Sequence, residues 1–293
     1  EGAKQHLMND FEIMSTFRLW KRYDINKDSP STPSTNQNLP RSPPMSKLHF
    51  SKGNAKLTKR LVFSLPAGRT CPGANICKAF VGVDSNTGKR SIIDGKDMLF
   101  RCFAASSEVQ YDAVYLNRKE NLDLLVAALQ TGTAVDLINA NIQNNRSKGI
   151  TLVRIHESGD FFSGTYLDAW IQVAMLNPDL KFYCYSKSLQ LFYLLKLPNN
   201  FYLTASKGGK WDYLIDAGYF PRFAVVVKDD DAAETLGLEV DHDDSHCFGN
   251  KPFALLVHGT QPKGSAMGKV IRQRRLEGKH AGYNSKNRAL VSA

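Results

Sequence analysis

At 293 residues, 42% hydrophobic and 10% aromatic, the chain is long enough to bury one sizeable core, or one core and an appendage. No window reaches the ~18 to 20 apolar residues of a membrane span, and no charged-then-apolar leader is visible, so the sequence reads as soluble and intracellular. Five cysteines in so long a chain argue against a secreted disulfide framework, and the net charge of +10 is unevenly placed along the chain.

Residues 1–44 read as an extension outside the core. FEIMSTFRLWKRY has the pattern of a short amphipathic helix, and INKDSPSTPSTNQNLPRSPP is a Ser/Thr/Pro/Asn-rich linker. An α/β core with a cysteine site is expected over residues 45–262, and a basic C-terminal helix and tail over 263–293. The core opens on LVFSLPAGRTCPGANIC (61–77), an apolar strand stopped by Pro66 and Gly68, whose polar turn delivers Cys71 and Cys77. An insert, VGVDSNTGKRSIIDGKDM, has the look of a hairpin, and Cys102 follows it in FRCFAAS. SSEVQYDAV and RKENLDLLVAALQ then read as helices, with Leu122, Leu125, Val126 and Leu129 at helical spacing, and TAVDLINANIQNN as another.

A regular alternation follows. GITLVRIHESGD is a strand, TYLDAWIQVAML a helix, LKFYCYSKS a strand, LQLFYLLKL a helix and NFYLTASK a strand. KWDYLIDAG is a helix closed by Gly218, RFAVVVKDD a strand, KPFALLVHG the last strand and AMGKVIRQRRLEG a basic helix. Strands and helices at this spacing predict right-handed βαβ units, about six of them. The expected fold class is α/β, either a partial (β/α)6 barrel or an open parallel sheet with flanking helices.

In either architecture chemistry gathers at the carboxyl ends of the strands. Those ends carry the three cysteines, then His156, Glu157, Ser158, Gly159 and Asp160, then Ser186 and Lys187, then Ser206 and Lys207, and finally Lys228, Asp229 and His258. His156, Glu157, Asp160, Lys187 and Lys207 are the candidate catalytic groups, and Ser158, Gly159, Ser186 and Ser206 the candidate cofactor contacts. His156 and Glu157 leave a strand in succession, so their side chains diverge; Asp160 also suits a helix cap. Cys71, Cys77 and Cys102 read as thiolate ligands of zinc or of an iron–sulfur cluster, or as reduced buried thiols. Cys247 in DHDDSHCFGN is a candidate fourth ligand, with His242 or His246 as substitutes, whereas Cys184 inside KFYCY reads as core. Residues 263–293 hold eight Lys and Arg against Glu277 alone, a surface suited to phosphate backbones or simply to solvent.

The combination LPAGRTCPGANIC, RCFAAS, HESGDFFSGTYLDAW and YCYSKS resembles the bacteriophage family named gene product eighty-eight, over about residues 57–260. The resemblance implies a phage origin and a place in the cytoplasm of an infected host cell; it implies no particular reaction. A second resemblance is architectural. Radical S-adenosylmethionine enzymes carry three cysteines after the first strand of a partial barrel, and a Gly/Glu-rich turn after the second strand receives the cofactor's amino group. That likeness implies an open iron on a 4Fe–4S cluster and S-adenosylmethionine as a ligand.

Three readings follow. The first is an enzyme with an iron–sulfur cluster on Cys71, Cys77 and Cys102, acting on nucleotides or nucleic acid. The second is a metal-stabilised nucleic-acid-binding protein in which Cys247 closes the site. The third is a magnesium-dependent nuclease or hydrolase using Asp160, Glu157 and some of the acidic run from Asp229 to Asp244.

Overall fold

The computed structural model describes residues 47–53 and 57–278. The expectations for residues 1–44 and for the end of the basic tail lie outside these residues. A seven-stranded sheet forms the centre. Its strands are β1 (Phe50–Ser51), β2 (Arg60–Phe63), β5 (Leu152–Ile155), β6 (Lys181–Ser186), β7 (Phe201–Ser206), β8 (Phe223–Val227) and β9 (Phe253–Leu256), paired in that order. The remaining two strands, β3 (Ala79–Val83) and β4 (Arg90–Asp94), make the separate hairpin expected of the insert. All pairings in the large sheet are parallel except that of β1 with β2, an edge strand that no apolar run in the sequence announces.

The helices are α1 (Phe103–Gln110), α2 (Asp112–Thr131), α3 (Ala134–Asn145), α4 (Gly164–Leu176), α5 (Asp212–Asp216), α6 (Asp230–Thr235) and α7 (Ala266–Leu276). The helix expected over LQLFYLLKL is instead a single 3-10 turn, Leu189–Leu191. Leu189 packs with Ala205 and Leu214, while Phe192 joins the main core with Leu191 and Leu195. Those contacts point in directions that one helical stripe does not serve. Leu194 takes φ 59, and Pro198 disfavours helical geometry at the residue before it.

From β2 onward each parallel strand lies beside the preceding one, always in the same direction. A doubly wound sheet needs a reversal of strand order, and this one has none. Right-handed crossovers taken in one direction put the helices on one face. Leu61, Phe63, Val153, Ile155, Phe182 and Leu203 all point to that face, into one core with Leu125, Ile138, Tyr166 and Trp170 from α2, α3 and α4. Tilted ring contacts such as Phe63 with Trp170, centroids 5.4 Å apart, fill it.

The opposite face carries Arg60, Arg154, Tyr183, Tyr185 and Tyr202, and it is covered by the chain around a 3-10 turn, Ser245–Phe248. Asp244, at φ 66, supplies the carboxylate at its centre. Arg154 Nη1 donates to Asp244 Oδ2 at 2.9 Å, Tyr183 OH to the same oxygen at 2.8 Å and Tyr185 OH to Oδ1 at 3.2 Å. Among the described residues the sheet is not closed by hydrogen bonds. Its two ends nevertheless meet through loops, because Gln261, beyond β9, accepts from the Arg101 N–H at 2.7 Å and donates to the Arg101 carbonyl at 2.9 Å.

Candidate metal centre at the strand ends

The hairpin insert accounts for the placement of the third cysteine. The N–H groups of Leu99 and Phe100 both donate to the Ile76 carbonyl, at 2.8 and 3.3 Å, and the Gly95 N–H donates to the Lys78 carbonyl at 2.7 Å. The hairpin therefore leaves and rejoins the cysteine loop at one point, and Cys102 returns to the neighbourhood of Cys77. Burial raises all three thiols, Cys102 to about 11. Cys102 and Cys77 both add to the rise at Cys71, and Cys77 adds to that at Cys102. Lys187 opposes the rise at Cys77, and Arg118 that at Cys102. The three thiols thus lie within one another's electrostatic reach.

The cysteine loop rests on the turn after β7. The Ile76 N–H donates to the Gly208 carbonyl at 3.3 Å, and the Lys210 N–H to the Gly73 carbonyl at 2.9 Å. A Cβ at Gly73 would meet the Lys187 carbonyl oxygen at 2.2 Å, so only glycine permits this approach. Gly159, at φ 85, lies against Leu65 and Thr70 in the same way.

The other strand-end residues are largely committed to the scaffold. Asp160 is buried, and burial raises its carboxyl above the usual range. It accepts from Ser186 Oγ at 2.7 Å, the Lys187 N–H at 2.8 Å and the Phe161 N–H at 2.7 Å. It ties the ends of β5 and β6 together. The cap of α4 falls to Ser163, which accepts from the Tyr166 N–H at 3.2 Å. Lys187 spends its three protons on Ser206 Oγ at 2.6 Å, the Lys207 carbonyl at 2.7 Å and the Ser206 carbonyl at 3.2 Å. Lys207 turns away to Asp216, 2.6 Å distant.

His156 does not line the site. At φ 67 its ring turns into the aromatic core, edge-on to Phe161 at 4.6 Å, with Nε2 2.8 Å from Tyr166 OH. Burial lowers its pKa to about 3, so the imidazole is neutral. Glu157 goes the other way, and its carboxylate lies 3.8 Å from Arg118 Nη2. Ser158 is buried beside the Leu65 N–H, which donates to its carbonyl at 2.8 Å. Asp229 caps α6, accepting from the Ala232 N–H at 2.9 Å.

Cys247 belongs to a different neighbourhood. It packs with Tyr183, Ala224 and Phe253 on the face of the sheet opposite the helices, where burial and then Asp244 push its thiol up to about 12. Cys184 is buried in the main core. His246 sits between Glu239, at 3.1 Å, and Asp241, at 3.3 Å. A cleft between α6 and α7, lined by Asp229, Asp230, Asp231, Gln273 and Arg274, involves none of the cysteines.

Two residues that the sequence reading passed over complete the site. Glu108 and Arg118 form a buried ion pair, 2.9 Å long, beneath the cysteine loop. Arg118 shares a helical stripe with the buried Asn121 and Leu125 of α2, and that spacing was the available signal.

A tetrahedral ion with metal–sulfur bonds of about 2.3 Å draws its sulfurs to roughly 3.8 Å from one another. Among the described residues, no group of three or more His, Cys, Asp or Glu side chains is arranged to hold such an ion. The donor set is therefore not a formed single-ion site. What the loop and the hairpin supply is three half-buried cysteines at one end of the sheet.

The fold defines an α/β protein with a singly wound, open parallel sheet and three cysteines in the loops at its strand ends. Comparison with known proteins places it further. The model of the family described as Gene product 88 matches residues 48–278, and the chain belongs to that family. It is 32% identical over 148 residues to the Gene 88 protein of Mycobacterium phage L5, a match covering 48% of this chain and 53% of that protein. The chain thus spans about half the length of the curated relative it matches. No solved structure matches it. The phage resemblance is thereby established, whereas the comparisons add nothing to the likeness to radical S-adenosylmethionine enzymes.

Proposed function

We propose that this phage protein is an enzyme that holds an iron–sulfur cluster on Cys71, Cys77 and Cys102, with one position left for a substrate or for S-adenosylmethionine. The observation behind this reading is the return of Cys102 to Cys71 and Cys77 by the hairpin, at the end of the sheet where this fold class keeps its chemistry. A cluster held by three thiolates supplies an iron with an exchangeable position and a route for single electrons. The chain's own groups have separate tasks. Asp160 and Lys187 lock the ends of β5, β6 and β7. Glu157 is half-exposed beside Arg118 and is the strand-end carboxylate suited to a cationic group such as an amine on the bound ligand.

The magnesium-dependent reading has less support, because Asp160 is fully engaged and Glu157 lies beside Arg118. A role in nucleic-acid binding draws on a separate feature. Lys263, Lys269, Arg272 and Arg275 are exposed on and before α7.

Anaerobic purification tests the first reading. The expected protein is brown, absorbs near about 400 nm and contains iron and acid-labile sulfide. Cys71→Ser and Cys102→Ser should lose the colour, and Cys247→Ser should keep it. A colourless or zinc-loaded wild type removes the cluster reading. Loss of iron in Cys247→Ser returns the choice to a closed four-ligand site.

A further inference from the structure

The three cysteines come from two stretches of chain, and none lies inside a strand or helix. Cys71 and Cys77 sit in the loop after β2, and Cys102 immediately precedes α1 and makes no capping hydrogen bond. The backbone bonds from Leu99 and Phe100 to Ile76 tie the two stretches beside Cys77, and a second tie acts at the start of the cysteine loop. Glu108 and Arg118, 1% and 6% exposed, lie directly beneath them. Glu108 Oε1 accepts from the Ala67 N–H, in the cysteine loop, at 2.8 Å and from Arg118 Nη1 at 2.9 Å. The same Nη1 donates to the Ala104 carbonyl, two residues beyond Cys102, at 3.1 Å. Arg118 Nη2 stands 3.8 Å from Glu157, on the turn after β5. One ion pair thus joins the loop of Cys71, the segment of Cys102 and the turn that follows the second parallel strand.

A buried pair of this kind is a poor source of stability, since apolar residues of similar volume often do as well. What it supplies is placement. The planar fork of Arg118 reaches several acceptors at fixed angles, which a lysine does not reproduce.

We propose that Glu108 and Arg118 are positioning residues that hold the Cys71 loop and Cys102 in the relative placement a shared ligand requires. The purpose assigned to them rests on the cysteine-site reading, but the placement itself is a property of the metal-free chain and can be measured there. The full-length, metal-free protein is treated with a short bis-maleimide, and the fraction of Cys102 joined to Cys71 or Cys77 is followed by peptide mass spectrometry. The double variant Glu108→Leu/Arg118→Leu removes both charges at once. It is expected to keep the wild-type thermal midpoint within a few degrees while its cross-linking rate falls by about tenfold, through the lower effective concentration of the two segments. In parallel, its iron content after anaerobic purification should fall well below that of wild type.

Wild-type cross-linking in a folded double variant overturns the proposal. If the double variant does not fold, Arg118→Lys serves, since it keeps a charge for Glu108 but not the fork; a several-fold fall in rate supports the placement role and an unchanged rate removes it. A cross-linking loss beside a wild type that takes up no iron leaves the positioning pair standing and removes the cluster as its purpose.

Discussion

His156 shows how far one residue's role depends on its backbone. A strand-end histidine beside Glu and Asp reads as chemistry, yet a left-handed φ of 67 turns this ring under Phe161 and against Tyr166 OH. Its pH signature follows from burial. The unfolded imidazole titrates near about 6.5 and the folded one at about 3. Between those values the unfolded chain binds a proton that the native chain refuses, so stability is fully present above about 6.5 and falls as the pH drops, by up to about 1.4 kcal/mol per pH unit. In His156→Gln that share of the acid sensitivity should vanish. Urea unfolding of both proteins from neutral pH down to about pH 4 measures it, and parallel curves would show that the ring takes its proton as readily in the fold as in the unfolded chain.

At the scale of elements, the stretch 189–197 separates composition from conformation. Its leucines and aromatics have helical spacing, but they serve two clusters, and the chain spends only one 3-10 turn on them. Leu194 then sits at φ 59 with 69% of its surface exposed. A left-handed conformation in a non-glycine residue costs about 1–2 kcal/mol, part of which glycine returns as chain entropy. Leu194→Gly should therefore stabilise the protein by about 0.5–1 kcal/mol, read as a higher urea midpoint at constant slope. A destabilised variant would mean that the exposed side chain contributes packing worth more than the strain.

On the scale of the whole molecule, the one-way strand order assigns the helices and the Asp244 loop to opposite faces and brings the loops after β2, β5, β6, β7 and β9 to one end. Among the described residues, no helix is long and apolar enough to cross a membrane. The basic α7 gives the nucleic-acid reading its own test. Replacing Lys269, Arg272 and Arg275 by Gln leaves the buried Ile271 and Arg274 in place. Fluorescence anisotropy on duplex DNA across a salt series should show weaker binding and a salt slope shallower by about 2 to 3 if those cations sit on phosphates. Equal slopes would mark the helix as a solubilising surface.

The alternation of strands and helices, the hairpin and the polar strand ends were legible in the sequence because each rests on local periodicity and on Pro and Gly punctuation. The family was legible too, in LPAGRTCPGANIC and HESGDFF, whose glycines permit close backbone approaches. Strand order was not, since adjacency in a sheet depends on which edges pair and not on any local pattern. Nor were β1, two residues long, or the Glu108–Arg118 pair, whose partners lie in different helices. The separation of Cys247 from the other thiols was decided in the same way. A thiol reads alike in either neighbourhood, and only the packing of the 3-10 turn against Tyr183 and Phe253 places it on the far face of the sheet.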